Sequence, residues 1–347
     1  MAQMSLPKQL TQRTPLQEKI PLETPYSVLV SPMDHCNIKC VFCPFHGIVT
    51  GDNRDPSIMS LELFQKIVDQ LSKFPERLKA FVFCGRGEPT LHRDLPKMIA
   101  YAKKMDIADE IRLTTNGFLL EPRLNEALIE SGLDYIRISV PAIDEKTCLR
   151  LTGAELNLEA YVSNIRNLYE KKRPEMTVFC KTTNAALREE NNGKISEGKE
   201  EDFYLKFQNC CDYCFVESVV SQVPKKLSAE EKVKIGISGS EKTNVYNVKN
   251  EYSPVCERLF YHMTINSNGD VFPCDLNENT GLHLGNVKEK NLYDIWNSDR
   301  FNQLRLSFLQ GSVPESCKEC GVFSFDFSND LHKYSDEIIK RIIQDRL

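Results

Sequence analysis

The sequence lacks several features that define membrane proteins and nucleic-acid-binding proteins. None of its apolar runs approaches the ~20 residues needed to span a bilayer, and no run of Lys and Arg is longer than three residues. Its net charge of −5 is also unfavourable for a polyanionic partner. These absences argue against a membrane or nucleic acid as the main partner, and a small or neutral substrate is easier to accommodate.

The apolar core of a signal peptide is missing as well, because the chain opens with Met-Ala-Gln-Met and continues with polar residues. The sequence nevertheless has 13 cysteines. Without a sign of secretion we expect these thiols to be reduced and the protein to be cytoplasmic. The chain is long enough for one large domain and a smaller appendage.

Three cysteines, Cys36, Cys40 and Cys43, follow a short apolar run at spacings of x3 and x2. Three thiolates so close together predict a metal site. A four-iron cluster has four corners to ligate, so three local cysteines leave one iron open. Zinc competes, since His35 and His46 flank the triplet, but structural zinc sites normally draw two local ligands from each of two places.

From residue 27 onward, apolar stretches rich in Val, Ile and Phe alternate with helical patterns. In the segment 60–74, for example, apolar residues recur at spacings of three and four. Such repeats predict an α/β fold with a parallel sheet covered by helices, here a partial (β/α)6 TIM-like barrel whose mouth is formed by loops that leave the strand C-termini. The predicted strands are 27–30, 80–84, 110–114, 135–140, 176–182 and 213–220.

The other segments are assigned by composition. We expect an N-terminal arm, wrapping or mobile, over residues 1–25 and the barrel over residues 26–225. A linker over 226–252 then leads into a small cysteine-containing unit over 253–325, and a C-terminal helix follows over 326–347.

Polar groups suited to ligand binding follow four of the predicted strands. The second strand leads into two glycines and a carboxylate, where the backbone must approach a ligand closely, and the third leads into a polar turn. Ordinary turns and a solvated lysine are the alternatives. The candidate residues are Gly85, Gly87, Glu88 and Pro89 after the second strand, Thr115 and Asn116 after the third, Ser139 after the fourth and Lys181 after the fifth.

A second set of cysteines lies near the C-terminal end, and its four thiolates would complete a closed tetrahedral set. By spacing alone, zinc and an iron–sulfur cluster are equally good interpretations. The set comprises Cys256, Cys274, Cys317 and Cys320. A further group, Cys210, Cys211 and Cys214, leads into an apolar strand, and there we favour packing over metal binding.

The triplet, with Phe42 before its last cysteine, resembles the signature of the radical S-adenosylmethionine (SAM) enzymes. The resemblance implies that SAM chelates the open iron and that its reductive cleavage gives a 5′-deoxyadenosyl radical, which takes a hydrogen atom from the substrate. It also implies that residues 85–89 correspond to a Gly-Gly-Glu-Pro motif that binds the amino group of SAM, with Arg86 as a departure. Arg86 is tolerated there if it points away, or it reaches the substrate. Phe42, Thr115, Asn116, Ser139 and Lys181 are the other expected cofactor contacts.

The second cysteine set, with the segments 284–287 and Leu292–Trp296 between its members, looks like the shortened SPASM module called twitch. That resemblance implies one auxiliary four-iron cluster, and hence two [4Fe–4S] clusters in all. No cysteine follows Cys320, which excludes the full module with two auxiliary clusters. Related maturases use an aspartate after the second cysteine as a proton acceptor, which makes Asp275 the candidate catalytic base. The alternative is a hairpin aspartate that binds backbone amides.

We therefore expect a radical SAM oxidoreductase that acts on a small polar metabolite, such as a sugar, an aminocyclitol or a nucleotide-linked molecule. Its auxiliary cluster accepts one electron, and an external donor such as flavodoxin or ferredoxin supplies the reducing electron. A peptide- or protein-modifying maturase and a redox-neutral epimerase or decarboxylase are alternatives. The alternative from another class is a non-catalytic zinc or iron–sulfur protein.

Overall fold

A computed structural model describes residues 2–7, 15–43, 45, 57–191, 194–196, 200–219, 228, 230, 246, 253–276, 281–318, 320 and 330–344. All 13 cysteines lie within these residues as thiols, none in a disulfide. Most of the predicted linker and part of the predicted C-terminal helix lie outside them, as do Pro44 and His46. In the described part of the chain, no helix is long and apolar enough to cross a membrane.

The core of the molecule is a nine-stranded sheet in the order β11-β10-β9-β1-β2-β3-β4-β5-β8. The six strands from β1 to β8 in this order pair in parallel, as predicted for the partial barrel. The strands are β1 (Ser27–Val30), β2 (Leu78–Phe83), β3 (Ala108–Thr115), β4 (Tyr135–Ser139), β5 (Thr177–Thr183), β8 (Tyr213–Glu217), β9 (His262–Ile265), β10 (Asp270–Phe272) and β11 (Gly285–Asn286). A separate hairpin, β6 (Glu189–Asn191) and β7 (Lys194–Ser196), was not predicted.

Helices fill the connections between the parallel strands and continue through the C-terminal part. They are α1 (Leu61–Leu71), α2 (Leu95–Lys104), α3 (Pro122–Glu130), α4 (Glu145–Thr152), α5 (Leu158–Lys171), α6 (Glu200–Phe207), α7 (Arg258–Tyr261), α8 (Leu292–Trp296), α9 (Asp299–Leu309), α10 (Glu315–Lys318) and α11 (Ser335–Gln344). Short 3-10 turns lie at Leu16–Glu18, Pro89–Leu91, Asn184–Leu187 and Leu331–Tyr334.

Helix α1 illustrates how local sequence produces this packing. The side chain of Ser60 caps the helix by accepting a hydrogen bond from the backbone N–H of Leu63 at 3.1 Å. Phe64 lies on the buried face, with its ring centroid 6.1 Å from that of Phe81 and 5.6 Å from that of Phe83 on β2. Burial of each such side chain contributes about 1.5–3 kcal/mol. The helices thus cover one face of the sheet, and alternate strand residues point to the opposite, concave face.

The C-terminal cysteine-containing part joins the barrel directly through the sheet. Strand β9 pairs in parallel with β1, in the register Ser27↔His262 to Val30↔Ile265. The ladder continues past β1, because the N–H of Ser31 donates to the carbonyl oxygen of Ile265 at 2.9 Å. Strands β10 and β11 extend the sheet as an antiparallel hairpin, which agrees with the predicted twitch hairpin. This parallel junction with β1 was not predicted.

The described parts of the N-terminal arm wrap around the barrel. Gln3 bridges Tyr213 in parallel at the free edge of β8, and its carbonyl accepts a hydrogen bond from the N–H of Cys214 at 3.0 Å. Farther along the arm, the carbonyl of Leu22 accepts a hydrogen bond from the indole N–H of Trp296 at 2.8 Å. The predicted packing of Cys210, Cys211 and Cys214 agrees with the structure, in which all three are fully buried.

Candidate active site at the mouth of the barrel

The cysteine triplet lies on the loop that follows β1, where the other strand ends converge. Two backbone hydrogen bonds fix this loop to the end of α4: Lys39 N–H to the Thr152 carbonyl at 2.8 Å and Val41 N–H to the Leu151 carbonyl at 2.9 Å. The side chains of Cys36, Cys40 and Cys43 are half-buried or exposed at their edges and lie close to one another.

The electrostatics of the triplet fit a cluster as its natural occupant. Burial raises the pKa of Cys36 to about 11, and the charges of Glu88 and Cys43 add to this effect. Burial raises the pKa of Cys40 as well, followed by the charges of Cys43 and Cys36. Without a cluster these raised pKa values keep the thiols protonated at neutral pH, and ligation of an iron–sulfur cluster would replace the protons.

The turn after β2 packs directly beneath the triplet loop. A Cβ atom on Gly87 would lie 2.3 Å from the carbonyl oxygen of His35, so only glycine fits there. Gly85 has a φ of +124° and no room for a side chain against Ser31. Arg86, between them, is buried, with Nη1 3.7 Å from Oδ2 of Asp34 on the triplet loop. Contact between Arg86 and a substrate stays the other alternative.

Glu88 connects three turns at the mouth. Its backbone N–H donates to the His35 carbonyl at 2.7 Å. Its carboxylate accepts hydrogen bonds from the N–H and hydroxyl of Thr90, from the hydroxyl of Thr115 at 2.7 Å and from the N–H of Asn116 at 2.8 Å. Pro89 is buried at the start of the following 3-10 turn. Burial nevertheless raises the pKa of Glu88 above its ordinary value, against the effect of these donors.

Asn116 directly follows β3 and links the end of this strand to the triplet loop. Its side-chain Nδ2 lies 3.8 Å from Cys36 Sγ and donates to Asn37 Oδ1 at 2.7 Å. The hydroxyl of Tyr161 donates to its backbone carbonyl at 2.9 Å. The structure thus brings Gly85, Gly87, Glu88, Thr115 and Asn116 together around the triplet loop, and their role in SAM binding stays a prediction.

The remaining candidates lie farther along the mouth. Phe42 is half-buried on the triplet loop, and Ser139 at the end of β4 pairs in register with Lys181 on β5. Lys181 was weighed between a ligand contact and a solvated side chain. It is instead largely buried, with Nζ 2.6 Å from Glu217 Oε2. The carboxylate that contacts Lys181 is therefore that of Glu217 and not one from a bound ligand.

The second cysteine set surrounds one small cavity, lined by Cys256, Cys274, Cys317 and Cys320. Burial raises the pKa of Cys256 to about 12, opposed by Arg258, and raises that of Cys317 to about 11. Within the described residues, no three Cys, His, Asp or Glu side chains are close enough to hold a single metal ion. Four thiols around one cavity suit an iron–sulfur cluster.

Asp275 lies between this cavity and the mouth. It follows Cys274 in sequence and forms an ion pair with Arg258, which also lines the cavity. On the barrel side, burial raises the pKa of Cys84 at the end of β2, and the charge of Asp275 raises it further. The charge of Asp275 thus acts on a strand end of the barrel, and its role as a proton acceptor stays a prediction.

Two charged residues at the mouth, Arg137 and Glu217, were missed by the sequence analysis. Arg137 stands on β4 and forms an ion pair with Glu217 on β8. A signal existed for both, because each is a charged residue at an alternate position of an otherwise apolar strand, which places it on the face away from the helices.

Comparison with known proteins agrees with this site. The family model described as the radical SAM superfamily matches residues 30–197, and one described as an iron-sulfur cluster-binding domain, SPASM, matches residues 256–321. The chain is 25% identical over 334 residues to the cysteine-type anaerobic sulfatase-maturating enzyme of Clostridium perfringens, covering 86% of this chain and 87% of that one.

A second relative is the tungsten-containing aldehyde ferredoxin oxidoreductase cofactor-modifying protein of Pyrococcus furiosus. It is 27% identical over 318 residues, covering 83% of this chain and 85% of that one. Among solved structures, Streptococcus suis SuiB bound to the precursor peptide SuiA has the same fold, with a TM-score of 0.58 at 18% identity over 89% of this chain and 72% of that one. The chain therefore belongs to the radical SAM superfamily, with a SPASM iron–sulfur cluster-binding domain at its C-terminal end, and [4Fe–4S] clusters and SAM are its cofactors.

Proposed function

We propose that this protein is a radical SAM oxidoreductase that removes a hydrogen atom and then a proton from a small polar molecule bound in the barrel mouth. When bound, the cluster at Cys36, Cys40 and Cys43 supplies, with SAM, the 5′-deoxyadenosyl radical, and the cluster at the second cysteine set supplies an acceptor for one electron. An external donor such as flavodoxin or ferredoxin delivers the reducing electron.

The position of Asp275 is the observation that carries the proposal. The charge of its carboxylate acts on Cys84 at a strand end, while the preceding residue, Cys274, lines the auxiliary cavity. A substrate radical in the mouth can thus pass a proton to Asp275 within reach of the auxiliary cysteines. Arg258 orients the carboxylate through their ion pair.

The other residues of the mouth bind SAM and hold the neighbouring side chains in place. Glu88 and Asn116 hold the turns after β2 and β3 against the triplet loop, which presents backbone and amide groups to SAM. Glu217 fixes the side chains of Arg137 and Lys181 on the inner face of the barrel.

A peptide- or protein-modifying activity is the second candidate. It is favoured by the likeness to the sulfatase-maturating enzyme, which extends over 86% of this chain. Charged side chains on the inner face favour the small polar molecule instead, because Arg137, Lys181 and Glu217 lie on the strands themselves rather than on an external groove.

Transfer of deuterium from the substrate into 5′-deoxyadenosine distinguishes a small-molecule substrate from a peptide substrate. Anaerobic protein with SAM and a reductant is incubated with deuterated sugars, aminocyclitols and nucleotide-linked metabolites, and in parallel with deuterated cysteine- and serine-containing peptides. The proposal expects deuterium in 5′-deoxyadenosine from a small molecule. Transfer from a peptide alone would establish the second candidate, and product formation without a net two-electron oxidation would indicate an epimerase or decarboxylase.

A further inference from the structure

The inner face of the barrel holds an unbalanced charge cluster. The carboxylate of Glu217 accepts hydrogen bonds from two cations, Arg137 through one oxygen and Lys181 at 2.6 Å through the other. The side chain of Glu217 is 6% exposed, that of Lys181 17% and that of Arg137 24%. One carboxylate thus faces two cations in a largely buried setting, and one positive charge remains uncompensated.

Among the described residues, the neighbouring charges do not supply the missing anion. Arg112 on β3 lies on the same face, but it is already paired with Glu110, with Nη2 2.7 Å from Oε2. Asp275, at the edge of the mouth, is paired with Arg258. Each of these pairs is neutral, so the excess positive charge stays with the cluster of Arg137, Lys181 and Glu217.

Hydrogen-bonding groups around the cluster also lack protein partners. Within the described residues, the hydroxyls of Tyr135 and Thr183 and the Nε of Arg137 are buried and have no hydrogen-bond partner. Tyr135 precedes Arg137 by two residues on β4 and is only 4% exposed. Thr183 pairs in register with Glu217, so it lies on the same face. Buried polar groups are normally satisfied, and here two hydroxyls and a guanidinium N–H on one face of the sheet lack an acceptor: Tyr135 two residues before Arg137, and Thr183 beside Glu217.

The geometry points to an oxyanion, a carboxylate or a phosphate carried by the substrate, that Arg137 and Lys181 bind on the inner face. Arginine suits such an anion because its planar guanidinium offers several N–H donors to two oxygens at once. This inference rests on the proposed function, since it takes the mouth to receive a small polar molecule. It narrows that molecule to acids and phosphate esters such as a sugar acid or a sugar phosphate.

The test uses the anaerobic, cluster-containing protein with SAM present and three matched probes: glucuronate, glucose 6-phosphate and neutral glucose. Binding is measured by calorimetry. We expect one or both charged probes to bind at least about tenfold more tightly than glucose. A preference for glucuronate would assign the site to a carboxylate, and a preference for glucose 6-phosphate would assign it to a phosphate. Equal binding of all three, or no binding of any, would overturn the inference.

Variants separate a ligand contact from a structural role. Arg137→Gln should weaken the charged probes about tenfold or more and leave glucose unchanged. Glu217→Gln should act in the opposite direction and tighten them, because it removes the anion that competes for both cations. If Arg137→Gln fails to fold, Arg137→Lys takes its place. We then expect a smaller loss of affinity for the charged probes, because lysine keeps the positive charge but cannot donate to two oxygens in the fixed geometry of a guanidinium.

The control is Arg173→Gln, at the opposite end of the strands, where the guanidinium donates to the Leu133 carbonyl at 2.9 Å. It should bind the probes as the wild type does. Unchanged probe binding in Arg137→Gln, weaker binding in Glu217→Gln, or a parallel loss of SAM affinity in Arg137→Gln would each contradict the assignment. Reductive SAM cleavage, measured on the same samples, reports on the proposed function separately, so failure of one leaves the other measurable.

Discussion

Glu88 accepts a hydrogen bond from the backbone N–H of Asn116 at 2.8 Å, and this bond joins the turn after β2 to the turn after β3. The same asparagine points its side-chain amide at Cys36, 3.8 Å from the sulfur. A carboxylate that does not touch the thiols therefore positions a group that does.

We predict that Glu88→Gln lowers SAM affinity about tenfold, because an amide cannot accept hydrogen bonds at both of the positions that the carboxylate now fills. Equilibrium binding of SAM to the cluster-containing protein measures this. The control is Glu126→Gln, which removes an exposed carboxylate paired with Lys171. Equal SAM affinity in wild type and Glu88→Gln would remove the positioning role.

Gly87→Ala should displace the triplet loop, since the new Cβ would meet two backbone carbonyls, at 2.3 Å from His35 and 2.5 Å from Met33. We expect a destabilisation of about 1–3 kcal/mol and a loss of iron from the first cluster. Denaturant unfolding and iron analysis measure the two effects. In Gly153→Ala the Cβ meets no atom within 4 Å, although φ is +68°, so this control should lose stability only. A full iron content in Gly87→Ala would show that the contact does not shape the site.

Glu217 should make stability depend on pH. Burial alone would raise its pKa, but Arg137 and then Lys181 outweigh that effect and hold the pKa below the ordinary value of 4.5. A depressed pKa means that the ionised group stabilises the fold above that value and that its contribution is lost as the pH falls through the folded-state pKa.

The variant Glu217→Gln should therefore be less stable than the wild type by about 3 kcal/mol at neutral pH, because it leaves two buried cations unpaired. The difference in free energy of unfolding between the two proteins should narrow as the pH falls below 4.5. Comparison of both at the same pH removes the effect of acid on the clusters. A difference that stays constant or widens would contradict the assigned ion pairs.

Cys256→Ala should remove about half of the iron and leave reductive SAM cleavage in place, because the two cysteine sets serve separate clusters. Cys210→Ala is the matched control, since that thiol is fully buried in the core, and it should keep the full iron content. Loss of all iron in Cys256→Ala would mean that the first cluster also depends on the second cysteine set. Retention of all iron would show that Cys256 is not a cluster ligand.

Asp275→Asn should still cleave SAM but form little product, because the amide cannot take the proton that the substrate loses. Product and 5′-deoxyadenosine are quantified from the same reaction. The structure adds a second variant, Arg258→Gln, which should reduce product formation less by releasing the carboxylate from its ion pair. Unchanged product formation in Asp275→Asn would show that another group accepts the proton from the substrate.

The features predicted from sequence are those set by local chemistry. The triplet, the Gly-x-Gly-Glu-Pro turn and the alternation of strands and helices depend on spacing and periodicity within a few residues, so they were found without coordinates. The direction of Arg86 was not, because it depends on Asp34, which lies far away in sequence. The partner of Lys181 was missed for the same reason, since Glu217 stands on a later strand.

The junction between the two parts of the chain was also beyond sequence reasoning. Strand β9 is four residues long and entirely buried, and such a short apolar run does not indicate which strand it joins. Its parallel pairing with β1 depends on the packing of the whole sheet. That pairing joins the C-terminal cysteine-containing part to the barrel, which makes it the part of the fold on which the proposed chemistry depends most.

The most direct test of the central claim is the reductive cleavage of SAM by the anaerobic, iron-loaded protein, compared with a Cys40→Ala variant. The account predicts that the wild type forms 5′-deoxyadenosine and that Cys40→Ala forms none, because the triplet then lacks a ligand to the reactive cluster. Formation of 5′-deoxyadenosine by Cys40→Ala at the wild-type rate would contradict it.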